Sequence, residues 1–160
     1  MKTRALAVCI ATLAAGSAFA GVEVANKGSY EGMLCVSGPL PAVVQSDTEM
    51  GGSFDLIGPM VTKPGMLYHA ANIHCLGAWS VVGGNYNENG HCQVVDADGD
   101  KIFGKFSRVN ADGRWEVISG TGKYAGMTSS GPYTPVAQFP QPVPGTLQHC
   151  NRITGTWKLR

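Results

Sequence analysis

The stretch SGTGKYAGMTSSG, residues 119–131, sets a lysine among four glycines, the composition of a loop that cradles phosphate with backbone N–H groups. The spacing does not fit. A Walker loop places a glycine five positions before Gly122-Lys123 and a Ser or Thr after them, whereas this chain has Val117 and Tyr124 there. The dinucleotide fingerprint asks for Gly-x-Gly-x-x-Gly opening a helix; Gly120, Gly122 and Gly126 are one residue too widely spaced and run into MTSSGPY, which is not helical. No nucleotide or other cofactor is therefore expected. The three glycines are read as structural, placed where a strand bends, bulges or meets another backbone, with Lys123 beside them dispensable.

A second chemical pattern is DADGD, whose Asp96, Asp98 and Asp100 alternate like the start of a calcium loop. The sixth position is Lys101 instead of glycine and the twelfth is Ser107 instead of glutamate, so a hairpin turn is the expectation, with a weak cation site the alternative. Cys75, Cys92 and Cys150 each follow a histidine, a pairing that invites zinc. On a strand, however, neighbours point to opposite faces, and neither Cys-x-x-Cys nor His-x-x-x-His occurs. Disulfides are the expectation for Cys35, Cys75, Cys92 and Cys150, and no metal. Cys75 with Cys92 is the favoured pairing because these two flank a hairpin; Cys35 with Cys150 would then join the chain ends. His69, His74, His91 and His149 could each supply a base, but no motif puts a nucleophile beside them, so they are read as surface or packed residues. Trp79, Phe103, Phe106, Trp115, Tyr124 and Trp157 either fill a core or line a ligand cavity.

The elements that must carry these residues are strands. In NRITGTWKLR, Ile153, Gly155, Trp157 and Leu159 alternate with Arg152, Thr154, Thr156 and Lys158, the period of a half-buried strand. KIFGKF and RWEVIS are further strands around NADG, where Asp112-Gly113 is a turn signal, repeated at Asn89-Gly90 and Asp98-Gly99. Strands thus follow one another as a meander from about Met66 to the end, with turn signals every ~10 residues, as in a sandwich or a barrel. PAVVQSDTEMGG could hold one helical turn or a loop. TPVAQFPQPVPGT reads as a proline-rich connection. With 22 glycines and 14% charged residues, an all-β domain is favoured over a helical bundle.

The N-terminus is not part of that domain. Lys2 and Arg4 precede an apolar run from Ala5 to Ala15, and Ala18-Phe19-Ala20 is a small-residue cleavage site: a secretory signal peptide over 1–20, leaving a single domain at 21–160. The apolar run is shorter than the roughly 20 residues a bilayer span needs, so no membrane insertion is expected. Cleavage removes two of the twelve Lys and Arg and none of the eleven Asp and Glu, so the remainder carries a formal charge of −1 and offers no basic field for nucleic acid. The destination is periplasmic or secreted, where disulfides persist.

DADGDKIFGKF, GRWEVISGTGKYAGMTSSGPY and the closing ITGTWKL resemble exported bacterial proteins of the allene oxide cyclase and dirigent-like barrel superfamily, which carry a GTGxF/Y-x-G segment at a comparable place. The match is good over about residues 92–131 and loose elsewhere. The resemblance implies an antiparallel up-and-down β-barrel of about eight strands, allene oxide cyclase- or calycin-like, with a central cavity; periodicity alone leaves a β-sandwich open. Catalytic residues of the superfamily cannot be placed on this chain. Three functions follow: a barrel that binds a small apolar molecule or serves as a non-catalytic scaffold, which is the leading expectation; a dirigent-like or cyclase-like enzyme in which a buried carboxylate or tyrosine guides ring closure or coupling; and a partner-binding protein with a filled barrel. Intact mass of exported protein should begin at Gly21 and fall four hydrogens short of the reduced chain; free thiols at all four cysteines would overturn the oxidised, exported form.

Overall fold

The computed structural model describes residues 25–141 and 143–160. The expected signal segment, 1–20, lies outside the described residues. Nine strands follow one another: β1 (Lys27–Pro39), β2 (Ala42–Ser46), β3 (Glu49–Thr62), β4 (Ala71–Val82), β5 (Asn85–Val95), β6 (Lys101–Val109), β7 (Asp112–Gly120), β8 (Thr128–Gln138) and β9 (Thr146–Lys158). All pairings are antiparallel. β3 to β9 form a meander, and β1 pairs along its length with β9 and, through Gly32–Ser37, with the second half of β3. That double pairing closes eight strands into a barrel and excludes the sandwich. β2 is a ninth strand, laid on the first half of β3 outside the closed ring. Among the described residues no helix is long and apolar enough to cross a membrane.

Strand alternation divides the inside from the outside. On β4, Ile73 and Cys75 are buried while His74 and Leu76 are exposed; on β5, Cys92 and Val94 are buried while His91 and Gln93 are exposed. Cys75 and Cys92 stand opposite each other and form one disulfide on the inner wall. Cys35 and Cys150, also opposite, form the second, which joins β1 to β9. These pairs are the ones favoured from the sequence.

The two ends of the barrel differ. At one end the connection between β3 and β4 folds inward as a plug, with Leu67 and Tyr68 fully buried and Thr62 Oγ1 donating to Leu67 O at 2.9 Å. Tyr68 meets Tyr30 edge-on at 5.0 Å and accepts a hydrogen bond from Trp115 Nε1. Burying each such large side chain is worth roughly 1.5–3 kcal/mol, and this suffices to hold Tyr68 and Ala70 at positive φ. The other end, where β5 and β7 begin and β6 and β8 finish, has no such plug among the described residues.

Several local expectations change. PAVVQSDTEMGG is a hairpin of β2 and β3, with no helical turn, because backbone pairing to β3 outweighs the mixed local preference of the exposed β2 half. Asn89-Gly90 is not a turn: it lies mid-strand in β5, and the chain reverses at Gly83 and Gly84, both at positive φ. The β6–β7 turn is centred on Asn110 and Ala111, two residues before Asp112-Gly113, which already belong to β7. The proline-rich segment is partly strand; β8 runs through Pro132 and Pro135 as far as Gln138, with an irregularity between Pro135 and Ala137.

DADGD is the turn between β5 and β6. Asp96 Oδ1 accepts from the N–H groups of Asp98 and Asp100, and Gly99 takes positive φ. The glycine-rich segment docks on it. A single 3₁₀ turn at Gly122–Tyr124 sends the Lys123 ammonium to the carboxylates of Asp96 and Asp98, while Tyr124 Oη donates to Asp96 at 2.9 Å. The cation at this acidic turn is therefore the chain's own lysine, and no group of three metal-binding side chains occurs among the described residues. Lys123, expected to be dispensable, ties two turns together. Gly122 has φ +51°, and a Cβ there would run into the Asp100 carboxylate. Gly122→Ala should destabilise the protein by more than the ~1 kcal/mol of an ordinary strand glycine, and Lys123→Met by less. Urea unfolding of the two variants checks the order; a Gly122→Ala protein as stable as the parent would refute it.

Candidate functional site

Between the plug and the open end the barrel encloses a cavity of about 470 Å³. Two glycine-dependent layers of side chains shape it. In the deeper one, Phe54, Gly77, Gly90 and Phe106 stand in register across β3 to β6. A Cβ on Gly77 would lie 2.5 Å from the Phe54 ring and one on Gly90 2.7 Å from Phe106. The bare backbone is what lets the two rings lie over it and stack at 5.8 Å.

The outer layer carries the polar groups. Trp79, Glu88, Arg108, Gly113 and Tyr133 occupy successive strands from β4 to β8 at one register. Gly113 again makes room, since a Cβ there would come within 2.9 Å of the Tyr133 ring. The ring crosses β7 and its Oη donates to Glu88 Oε1 at 2.7 Å, while Tyr86 Oη donates to Glu88 Oε2 at 2.5 Å. Arg108 Nη1 stands 3.7 Å from Glu88 Oε1, and its guanidinium lies 4.3 Å above the Tyr86 ring, which stacks on Trp79. Glu88 and Arg108 are both largely buried, at 14% and 17% side-chain exposure, so their pairing is what permits either charge inside. Burial, with the Glu88 carboxylate beside each, pushes the Tyr86 and Tyr133 phenols above their ordinary range.

β9 contributes His149 and Asn151. Asn151 Nδ2 lies 2.9 Å from His149 Nε2, a hydrogen bond in which the amide donates when the imidazole proton sits on Nδ1. Burial pushes the His149 pKa down, the Glu88 charge opposes this and the Arg108 charge adds to it, so the ring is neutral near neutral pH. Trp79 Nε1, Arg108 Nε, His149 Nδ1 and Asn151 Oδ1 are buried without a hydrogen-bond partner among the described residues.

Of the six aromatic residues read as core or cavity lining, Trp79, Phe106 and Trp115 line the cavity. The other three do not, for separate reasons. Phe103 is three residues from Phe106, an odd spacing on one strand, so it lies on the outer surface against His91. Tyr124 is buried in the 3₁₀ turn against Asp96. Trp157 is buried beside Tyr30 near the plugged end and donates to Ala25 O. The histidines also separate. His74 pairs with Asp55 on the outside, His69 contacts Thr62 O beside the plug, and only His149 lines the cavity. In β4 and β5 the cysteine of each His-Cys pair faces inward; in β9 the order is reversed, and His149 takes the inner face.

Glu88, Arg108, Tyr86, Tyr133 and Asn151 were not singled out from sequence. The signal was present in the alternation: Tyr86, Glu88 and Gly90 share the face of Cys92, and Arg108 shares that of Ile102 and Phe106.

No protein-family model matches the chain, and no curated protein matches it. Among solved structures it is similar to that of a pterocarpan synthase dirigent protein, at 8% identity and a TM-score of 0.49, over 84% of this chain and 93% of that one. The barrel assignment stands on the strand pairing of this chain.

Because the His149 pKa is lowered in the fold, the unfolded chain binds its proton more readily. The resulting stability is present above the ordinary value of 6.5 and is lost as pH falls below it towards the depressed folded value. Urea unfolding between about pH 7.5 and about pH 5 should show that loss, and His149→Gln should flatten it; an unchanged slope in the variant would assign the loss to other groups.

Proposed function

We propose that this protein is an exported carrier that binds a small, largely apolar molecule in its barrel without transforming it. The observation that supports this reading is the cavity itself: about 470 Å³, open at one end, plugged at the other and walled mainly by apolar and aromatic side chains. A filled-barrel partner protein does not fit a cavity of this size. Export rests on the N-terminal sequence pattern, and the two disulfides are consistent with an extracellular or periplasmic location.

Catalysis of a ring closure or coupling is the second possibility, favoured by one observation, the carboxylate of Glu88 inside the cavity. Its surroundings weigh against proton transfer. Both carboxylate oxygens accept from phenols and a guanidinium stands beside them, so the group is committed to orienting its neighbours. The two phenols hold their protons more tightly than ordinary tyrosines, which makes them poor acids at neutral pH.

N-phenyl-1-naphthylamine, an uncharged probe that brightens in apolar surroundings, should bind one to one and quench tryptophan emission through Trp79 and Trp115. Leu34→Trp, which fills the cavity from β1, should weaken binding by more than about tenfold, the effect of a lost apolar site of roughly 1.4 kcal/mol or more, with little change in melting temperature. Equal binding by Leu34→Trp would place the probe elsewhere and remove the support for a carrier.

A further inference from the structure

We propose that the cavity selects by charge: it admits uncharged molecules bearing an acceptor oxygen, such as a ketone or ester carbonyl, and rejects carboxylates of the same shape. The proposal deepens the carrier reading and rests on it. Its basis is the charge count of the wall. Among the described residues that line the cavity, only Glu88 and Arg108 carry a charge, one of each sign, and they stand against each other. The remaining titratable groups that line it are tyrosines and His149, with Tyr86 and Tyr133 held protonated and His149 held neutral. A ligand ion of either sign would leave water for an apolar chamber whose one counter-charge is already matched, a cost that neutral molecules do not meet.

The preference for an acceptor oxygen follows from which groups of the wall are already committed. Both oxygens of Glu88 accept from phenols, so the carboxylate has little to offer a ligand donor. Arg108 is the reverse case. A guanidinium has five N–H donors, yet its Nη1 contact to Glu88 is an ion pair at 3.7 Å, beyond hydrogen-bond distance, and its Nε is buried without a partner. Trp79 Nε1 and His149 Nδ1 are unpartnered but closed off from the cavity, which leaves the guanidinium as the donor a ligand meets. A ligand oxygen set against the guanidinium would receive the N–H that Glu88, at 3.7 Å, does not take up.

Equilibrium dialysis of the intact protein against three probes that share one ring system tests this: 2-acetylnaphthalene, 2-ethylnaphthalene and 2-naphthoate. The ketone should bind about tenfold tighter than the hydrocarbon and tighter still than the carboxylate, differences of at least roughly 1.4 kcal/mol each. Glu88→Gln keeps an acceptor for the tyrosines while leaving Arg108 unmatched, so the affinity for 2-naphthoate relative to that for the ketone should rise at least about tenfold over the parent. The parent's preference among the probes needs no variant and decides the matter even if Glu88→Gln fails to fold. Equal binding of all three, or tightest binding of the carboxylate by the parent, would overturn the charge filter and leave the carrier standing. Binding of none of them would overturn both.

Discussion

Everything in this molecule depends on β1 having two partners. A meander of seven strands from β3 to β9 leaves two open edges, and β1 covers both, pairing with β9 over thirteen positions and with β3 over a shorter stretch. Closure removes the unpaired N–H and C=O groups that an open sheet must shield, and it makes the inner face an interior. The Cys35–Cys150 bond sits on this seam and links residues 115 apart in sequence. In the loop-entropy description a crosslink of that span disfavours the unfolded chain by on the order of 4–5 kcal/mol, so the covalent bond falls where the longest-range pairing has to be made.

Closure alone would give a barrel filled with side chains, as eight strands leave little more than that. The cavity exists because the filling is uneven. Towards the plugged end Leu67, Tyr68, Tyr30 and Trp157 occupy the interior, and the inward glycines of the middle, Gly77 and Gly90, let Phe54 and Phe106 lie flat against the wall. The same device one layer out, Gly113 beneath Tyr133, brings a phenol from β8 to a carboxylate on β5. Glycine in this barrel acts by absence. It makes space that an aromatic ring then spans, and the rings set both the shape and the polarity of the cavity.

The polar wall is possible only because its charges are matched. Glu88 is tolerated inside because two phenols and a guanidinium face it, and Arg108 because Glu88 and the Tyr86 ring face it. A second ionic cluster, Lys123 between Asp96 and Asp98, lies outside the cavity at the plugged end, where it fastens the glycine-rich turn to the β5–β6 turn. The two clusters share their chemistry and differ in place: one is buried in the cavity wall, the other braces the turns of the closed end.

Composition and period 2 alternation were enough to read what is local: an all-β chain, the two faces of β9, the strand segments of β6 and β7, and the DADGD turn. The disulfide pairs were also legible, because a hairpin brings Cys75 to Cys92 and leaves the terminal pair. What alternation cannot state is which of two faces is the inside. The His-Cys pairs show this, facing cysteine-in on β4 and β5 but histidine-in on β9, so that His149 alone of the four histidines reaches the cavity. Nor can it distinguish a glycine that turns the chain from one that yields to a ring, which is why Asn89-Gly90 resembled a turn and lies in a strand. The site is the extreme case. Glu88, Arg108 and Tyr133 are twenty and twenty-five residues apart along the chain and become neighbours only through the register of four successive strands. Each reads as an ordinary surface residue in its own segment, and closure of the barrel decides that their side chains share one interior.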